Sequence, residues 1–443
     1  MYLTSISIPN WGVQTFITLA EYRFTVPMTE YWAALESGTY PRFSDAEYER
    51  RRDNVREMMR NEGLDALLIY ADSGFARHNY ADLHYLANYL GQAHAYLIFF
   101  EDPDEHPTLL FGLVNHGPYV SEVSEIDDVQ WSTRSPATKV AKRVQGTAAE
   151  DGAIGIVGTN PSYGITIPHE HHTTLQRQLD AEFVDAAAAY QRLRLIKSDE
   201  EIEFIQKAGE LTDEAMAAVV DHAEPGVSEY ELKGHLESAS LQSGGYPFIS
   251  FLSSAPMSDA APESCYPWKE ASGRELTEGD VITTELSAAY WGYVGQIHRP
   301  IAVGTEPTET YQEIYDLTYQ VYKDILAALK PGNTVKDVRD AVQPIETGGY
   351  KIHDGTLHGF GMQLEEPHVG ANDPANWIDL PTADVEAFES PGDWTFEENM
   401  VMVIQPNTIT PDRRHGLQLG NTVVIREDGA EPVTTYPVEF FEV

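Results

Sequence analysis

Cysteine is almost absent: Cys265 is the only one in 443 residues. No disulfide can close within the chain, and a reducing cytoplasm is the expected setting. Positive charge is scarce as well. Lysine and arginine total 29 against 70 aspartates and glutamates, a formal net charge of −41. Such a surface repels phosphates, so neither nucleic acid nor an anionic membrane is an expected partner. No apolar run reaches the length of a membrane span. The first residues, MYLTSISIPNWGVQ, lack the basic start and continuous apolar stretch of a signal peptide. No glycine-rich phosphate fingerprint follows the early strand-like runs, which argues against a dinucleotide site.

What is present is a globular chain long enough to bury two cores. Its acidic residues are spread out instead of gathered in a tail, a pattern suited to a solvated surface in high salt, where screening weakens self-repulsion. Residues 1–43 are aromatic-rich and broken by Pro9, Pro27 and Pro41, and read as an irregular N-terminal extension. From Ser44 a helix is predicted, with Ser44 as N-cap, Glu47 three residues on and Gly63 as the stop. LDALLIYA (64–71), AYLIFF (95–100), TLLFGL (108–113) and IGIVG (154–158) read as strands. Alternation of helix and strand marks residues 44–195 as a smaller α/β domain.

Residues 196–443 read as a second domain of the α+β class. Ser198 and Glu201 predict a capping box, with Ile202, Ile205, Ala208, Ala215 and Val219 near one helical stripe. Further helices are predicted from Ser228, over Tyr311–Leu329, and from Thr334. Between and after them lie strand-like runs: DVITTELSAAYW, YVGQIHRPIAV, MVMVIQPNTIT, LQLGNTVVIRE and PVTTYPV. The stretch LHGFGMQLEEP (357–367) carries the first candidate for chemistry. Gly359 and Gly361 flank Phe360, so His358 is not in mid-helix and can approach a ligand closely.

These segments, in this order, resemble the creatinase/prolidase/methionine-aminopeptidase family, whose catalytic domain has the "pita-bread" fold. RLIKSDEEIEFIQKAG looks like its entry helix, and EGDVITTELSAAYWGYVGQIHRPIAVG like the segment bearing its first two metal carboxylates. LHGFGMQLEEP looks like its histidine motif, and ENMVMVIQPN and LQLGNTVVIREDGAEPVT like its two glutamate motifs. The resemblance implies a pita-bread domain behind a smaller α/β domain, action on a small molecule, and a homodimer. Family metallopeptidases hold two metal ions with two aspartates, one histidine and two glutamates. Here Glu285 stands in the first aspartate's place, Gln296 in the second's, Gln405 in the first glutamate's and Gly420 in the last's. His358 alone is retained. Neutral amides cannot offset the desolvation of hard divalent cations, so no dinuclear centre and no cofactor is expected. A single weakly held divalent ion on Glu285 and His358 is the most this set would carry.

Creatinase is the family's example of hydrolysis without metal. His298 falls where creatinase places a glutamate, and Cys265 falls near its histidine. Strand alternation puts Gln296 and His298 on one face. His358, His298, Glu285 and Cys265 are therefore the expected catalytic residues: the histidines as proton carriers, Glu285 as a base for water, and Cys265 as a nucleophile. The alternative for Glu285 is an ion pair with Arg299. Gln296 and Gln405 are expected to donate hydrogen bonds to a substrate carbonyl or carboxylate. Glu365, Glu366 and Arg77 complete the expected substrate-binding set, Arg77 through a loop that in creatinase-like dimers reaches the partner's pocket. The implied activity is metal-independent hydrolysis of a C–N bond in a small polar substrate. The alternatives are a metal-dependent Xaa-Pro dipeptidase or aminopeptidase, a non-catalytic binding protein on the same fold, and a lyase like the family's dimethylsulfoniopropionate-cleaving members.

Overall fold

Ser44 is an N-cap, as expected: its hydroxyl accepts from the Glu47 amide and starts helix α1 (Asp45–Glu62), which ends at Gly63 with φ of +69°. This computed structural model describes residues 40–74, 78–160, 165–258, 266, 270–370 and 392–443. Most of the extension over residues 1–43 lies outside them, as do Arg77 and Cys265. Residues 41–443 form one compact unit.

The first sheet is built from β1 (Ala66–Ala71), β2 (Ala95–Phe100), β3 (Thr108–Phe111), β4 (Asp128–Trp131), β5 (Ala153–Val157) and β6 (Glu182–Asp185), in the order β4-β3-β2-β1-β5-β6. β1 and β2 are buried at every position, the pattern of strands covered on both faces. Helices α2 (Ala81–Ala87) and α3 (Ala187–Leu195) belong to this part of the chain.

The second half follows the predicted caps. The Ser198–Glu201 box opens α4 (Asp199–His222), and Ile202, Ile205, Ala208, Ala215 and Val219 are all buried. A second box at Ser228 opens α5 (Glu229–Gln242), Thr308 caps α6 (Glu309–Ala328), and Thr334 with Asp337 opens α7 (Val335–Thr347). A ten-stranded sheet lies beneath these helices. Its strands are β7 (Tyr246–Pro256), β8 (Asp280–Tyr290), β9 (Tyr293–His298), β10 (Ile301–Val303), β11 (Leu357–Phe360), β12 (Leu364–Val369), β13 (Val401–Ile404), β16 (Gly420–Arg426), β17 (Gly429–Pro432) and β18 (Phe441–Glu442). The short ribbon of β14 (Asn407–Ile409) and β15 (Gly416–Gln418) is separate. The main path runs β12-β11-β13-β16-β9-β8-β10-β18, so three segments far apart in sequence meet at its centre. Among the described residues, no helix is long and apolar enough to cross a membrane.

Four strand expectations differ from the structure. MVMVIQPNTIT and LQLGNTVVIRE each divide between the large sheet and the ribbon, breaking at Gln405-Pro406 and at Leu419. YVGQIHRPIAV is two strands, broken at Arg299-Pro300. PVTTYPV is not a strand beyond Pro432, because the carbonyls of Tyr436 and Pro437 accept from the Arg299 guanidinium instead of from a neighbouring strand.

Candidate active site

Glu285 on β8 and Gln296 on β9 come together because these strands form an antiparallel hairpin, with Leu286 opposite Ile297 and Ser287 opposite Gln296. The Gln296 amide nitrogen donates to Glu285 Oε1 at 2.8 Å and lies 3.3 Å from His298 Nε2. One –NH2 group thus bridges a carboxylate and an imidazole. The donor to Nε2 makes that nitrogen the acceptor and leaves the ring proton on Nδ1. His298 Nδ1 has no hydrogen-bond partner among the described residues.

Cross-strand pairing sets His298 opposite Gly420, the first residue of β16. The His298 ring lies where a side chain at position 420 would begin. A Cβ there would collide with His298 Nδ1 and stand 2.6 Å from the Ile404 carbonyl oxygen. Glycine is therefore required at 420 by the neighbouring ring. Burial pushes His298 well below the usual histidine range, and His358 and Arg299 push the same way.

His358 enters from β11, which pairs with β13 on one side and β12 on the other. Its Nδ1 lies 3.0 Å from the Gly359 carbonyl, an acceptor only, so the proton sits on Nδ1 and Nε2 is bare. Burial lowers its pKa to about 4; the Gly359 contact and Gln405 oppose the shift, and His368 adds to it. Both histidines are thus neutral near pH 7, one offering an N–H and the other a lone pair.

Gln405 follows β13. Its amide nitrogen donates to Asp354 Oδ2 at 3.2 Å and to the Gly355 carbonyl at 3.1 Å. The Asp354 loop is pinned by Asn407, whose Oδ1 accepts from the His353 amide at 2.9 Å and whose amide nitrogen donates to the Asp354 carbonyl at 3.0 Å. Burial raises the Asp354 carboxyl to about 6, against hydrogen bonds from Gly355, Gln418 and Gln405. Tyr266 is buried beside both Asp354 and Glu285, and burial raises its hydroxyl well above the usual range.

The structure therefore brings Glu285, Gln296, His298, His358 and Gln405 into one cluster, and adds Asp354 and Gln418. Asp354 was legible as an acidic residue four before His358 in a glycine-rich connection, and Gln418 as the polar residue two before Gly420 in LQLGN. Other expectations need correction. The –NH2 groups of Gln296 and Gln405 already donate to protein acceptors, so they are not free to donate to a substrate. Glu365 has both oxygens in buried ion pairs, one 3.0 Å from Arg194 and the other with Lys197. Glu366 is exposed, two residues from His368 on the same face of β12. Arg299 is buried and structural, but it pairs with the carbonyls of His298, Gly420, Tyr436 and Pro437 and with Asn421 Oδ1, not with Glu285. Burial lowers its pKa to about 10.

Two bridged divalent ions need several anionic oxygens. This cluster offers two carboxylates, Glu285 and Asp354, with three amides and two neutral imidazoles, and no side chain at 420. The donor set does not fit a dinuclear centre. Among the described residues, no group of three or more histidine, cysteine or acidic side chains is arranged to hold a metal.

Fold and site together define the class. The model of metallopeptidase family M24 matches residues 203–427, and that of the creatinase/prolidase N-terminal domain matches residues 51–196. The chain belongs to metallopeptidase family M24, with a pita-bread fold. An Xaa-Pro dipeptidase of Pyrococcus furiosus is 30% identical over 249 residues, 55% of this chain and 64% of that protein. The creatinase of a Bacillus species is 24% identical over 422 residues, 90% of this chain and 92% of that one. The crystal structure of the prolidase from Pyrococcus horikoshii superposes with a TM-score of 0.71 at 23% identity, covering 88% of this chain and all of that one.

Proposed function

We propose that the protein is a hydrolase that cleaves a C–N bond in a small polar substrate without a resident metal. The observation that carries this reading is the imidazole of His298 lying against Gly420, where the family resemblance calls for a metal carboxylate. In this reading His358 Nε2 takes a proton from water, the hydroxyl adds to the substrate carbon, and the same proton then passes to the departing nitrogen. The His298 Nδ1–H donates a hydrogen bond to the oxygen that gains charge. Glu285 acts through Gln296, holding the amide that fixes the His298 tautomer.

Elemental analysis after incubation with manganese, iron and zinc tests the metal-free reading. Well under one ion per chain is expected; two tightly held ions would overturn it. In a screen of guanidino, ureido, cyclic amidine and Xaa-Pro compounds, turnover should withstand a chelator. His358→Ala should lower turnover by about 100-fold or more with the fold intact, and an unchanged rate would remove His358 from the mechanism. The name of the Pyrococcus furiosus relative favours a second reading, a metal-dependent Xaa-Pro dipeptidase. Xaa-Pro hydrolysis abolished by the chelator would select it.

A further inference from the structure

Three buried glutamines in the cluster have their amides turned the same way with respect to charge. Gln405 Nε2 faces Asp354 Oδ2 and the Gly355 carbonyl, both of them acceptors, so reversing the amide would set oxygen against oxygen. Gln296 Nε2 faces Glu285 Oε1 in the same sense, and Gln418 Nε2 faces the Gln405 carbonyl at 3.4 Å. The Oε1 atoms of Gln296, Gln405 and Gln418 are left as acceptors, and none meets a donor in hydrogen-bonding geometry among the described residues, although the Gln405 amide lies beside the His358 ring. The three residues are 1%, 3% and 3% exposed. A buried polar atom without a partner costs about 1–3 kcal/mol, so three in one cluster are poorly explained by folding alone.

Asp354 adds charge beside Gln405 and Gln418. Its Oδ1 accepts from the Gly355 amide at 2.7 Å and its Oδ2 from Gln405. Among the described residues, no cationic side chain pairs with it. A carboxylate or phosphate placed here would meet oxygen atoms. A group with several N–H bonds and a positive charge would satisfy the amide oxygens and relieve the desolvated carboxylate.

We propose that Asp354, Gln405 and Gln418 form a subsite for the protonated nitrogen end of the substrate, an amidinium or ammonium group presenting two or more N–H bonds. This subsite presupposes that the cluster is the substrate pocket of the hydrolysis proposed above. Binding needs no turnover, so the two readings can fail separately.

The test is a ligand-observed NMR titration of the full chain, treated with chelator, at constant ionic strength. Acetamidinium, ethylammonium, acetate and acetamide are the probes. At least one cation should bind about tenfold more tightly than acetate, and Asp354→Asn should remove that preference. Gln418→Leu, which keeps the charge, should weaken cation binding about fivefold and serves if Asp354→Asn does not fold. Absence of cation binding, acetate binding as tightly as the better-bound cation, or indifference to both substitutions would overturn the subsite. Cation binding without turnover of any compound would uphold the subsite and count against the hydrolase. Turnover without cation binding would do the reverse.

Discussion

His298 and His358 sit in one buried cluster with opposite hydrogen-bonding roles, and both owe their neutrality to burial. A group whose basic form is required loses activity as pH falls through its folded pKa. For the free enzyme, kcat/KM should therefore drop in two steps on the acid side. The first should lie at about 6, as Asp354 is protonated, and the second at about 4, as His358 is. A pH–rate profile of Asp354→Asn should keep only the lower step; a single step near 6.5 in the parent would mean that His358 is solvated in the working enzyme. Gly420→Ala tests the packing of the other histidine. The added methyl would meet the His298 ring and the Ile404 carbonyl, costing about 1–3 kcal/mol in urea denaturation. The presence of His358, His298 and Glu285 in one site was legible from ordered motifs on strands. The direction of each amide was not, because it depends on acceptors at Asp354 and Gly355 that only the folded loop supplies.

The two hairpins that carry the site are both anchored in the N-terminal part of the chain. At the β8–β9 turn, the Trp291 carbonyl lies 2.8 Å from His84 Nε2, and its indole donates to Asn88 Oδ1 at 2.7 Å. The β11–β12 hairpin is tied through Glu365 to Arg194 and Lys197, and Arg194 reaches Asp82 at 2.7 Å. These four charges balance in a buried quartet. Glu365→Ala would leave the buried Lys197 without its carboxylate and Arg194 with Asp82 alone, a loss of about 3–5 kcal/mol. A clear fall in melting temperature should follow, and an unchanged one would show that water enters the cluster. The helix starts were legible because Ser44, Ser198, Ser228 and Thr334 are caps that act locally. The place of Glu365 was not legible, since its partners lie about 170 positions away in sequence.

At the scale of the whole molecule, charge matters most. With a net charge of −41, self-repulsion opposes the compact state, and salt should relieve it. Raising potassium chloride from about 0.1 to 2 M should increase the melting temperature by about 5 °C or more, with the gain tapering as the screening length falls below the spacing of surface charges. A flat response would place the limit on stability in the core. The contact between His298 and Gly420 also limits what the two positions can hold together. A side chain at 420 and the imidazole at 298 claim the same space, so a carboxylate at 420 requires a smaller residue at 298.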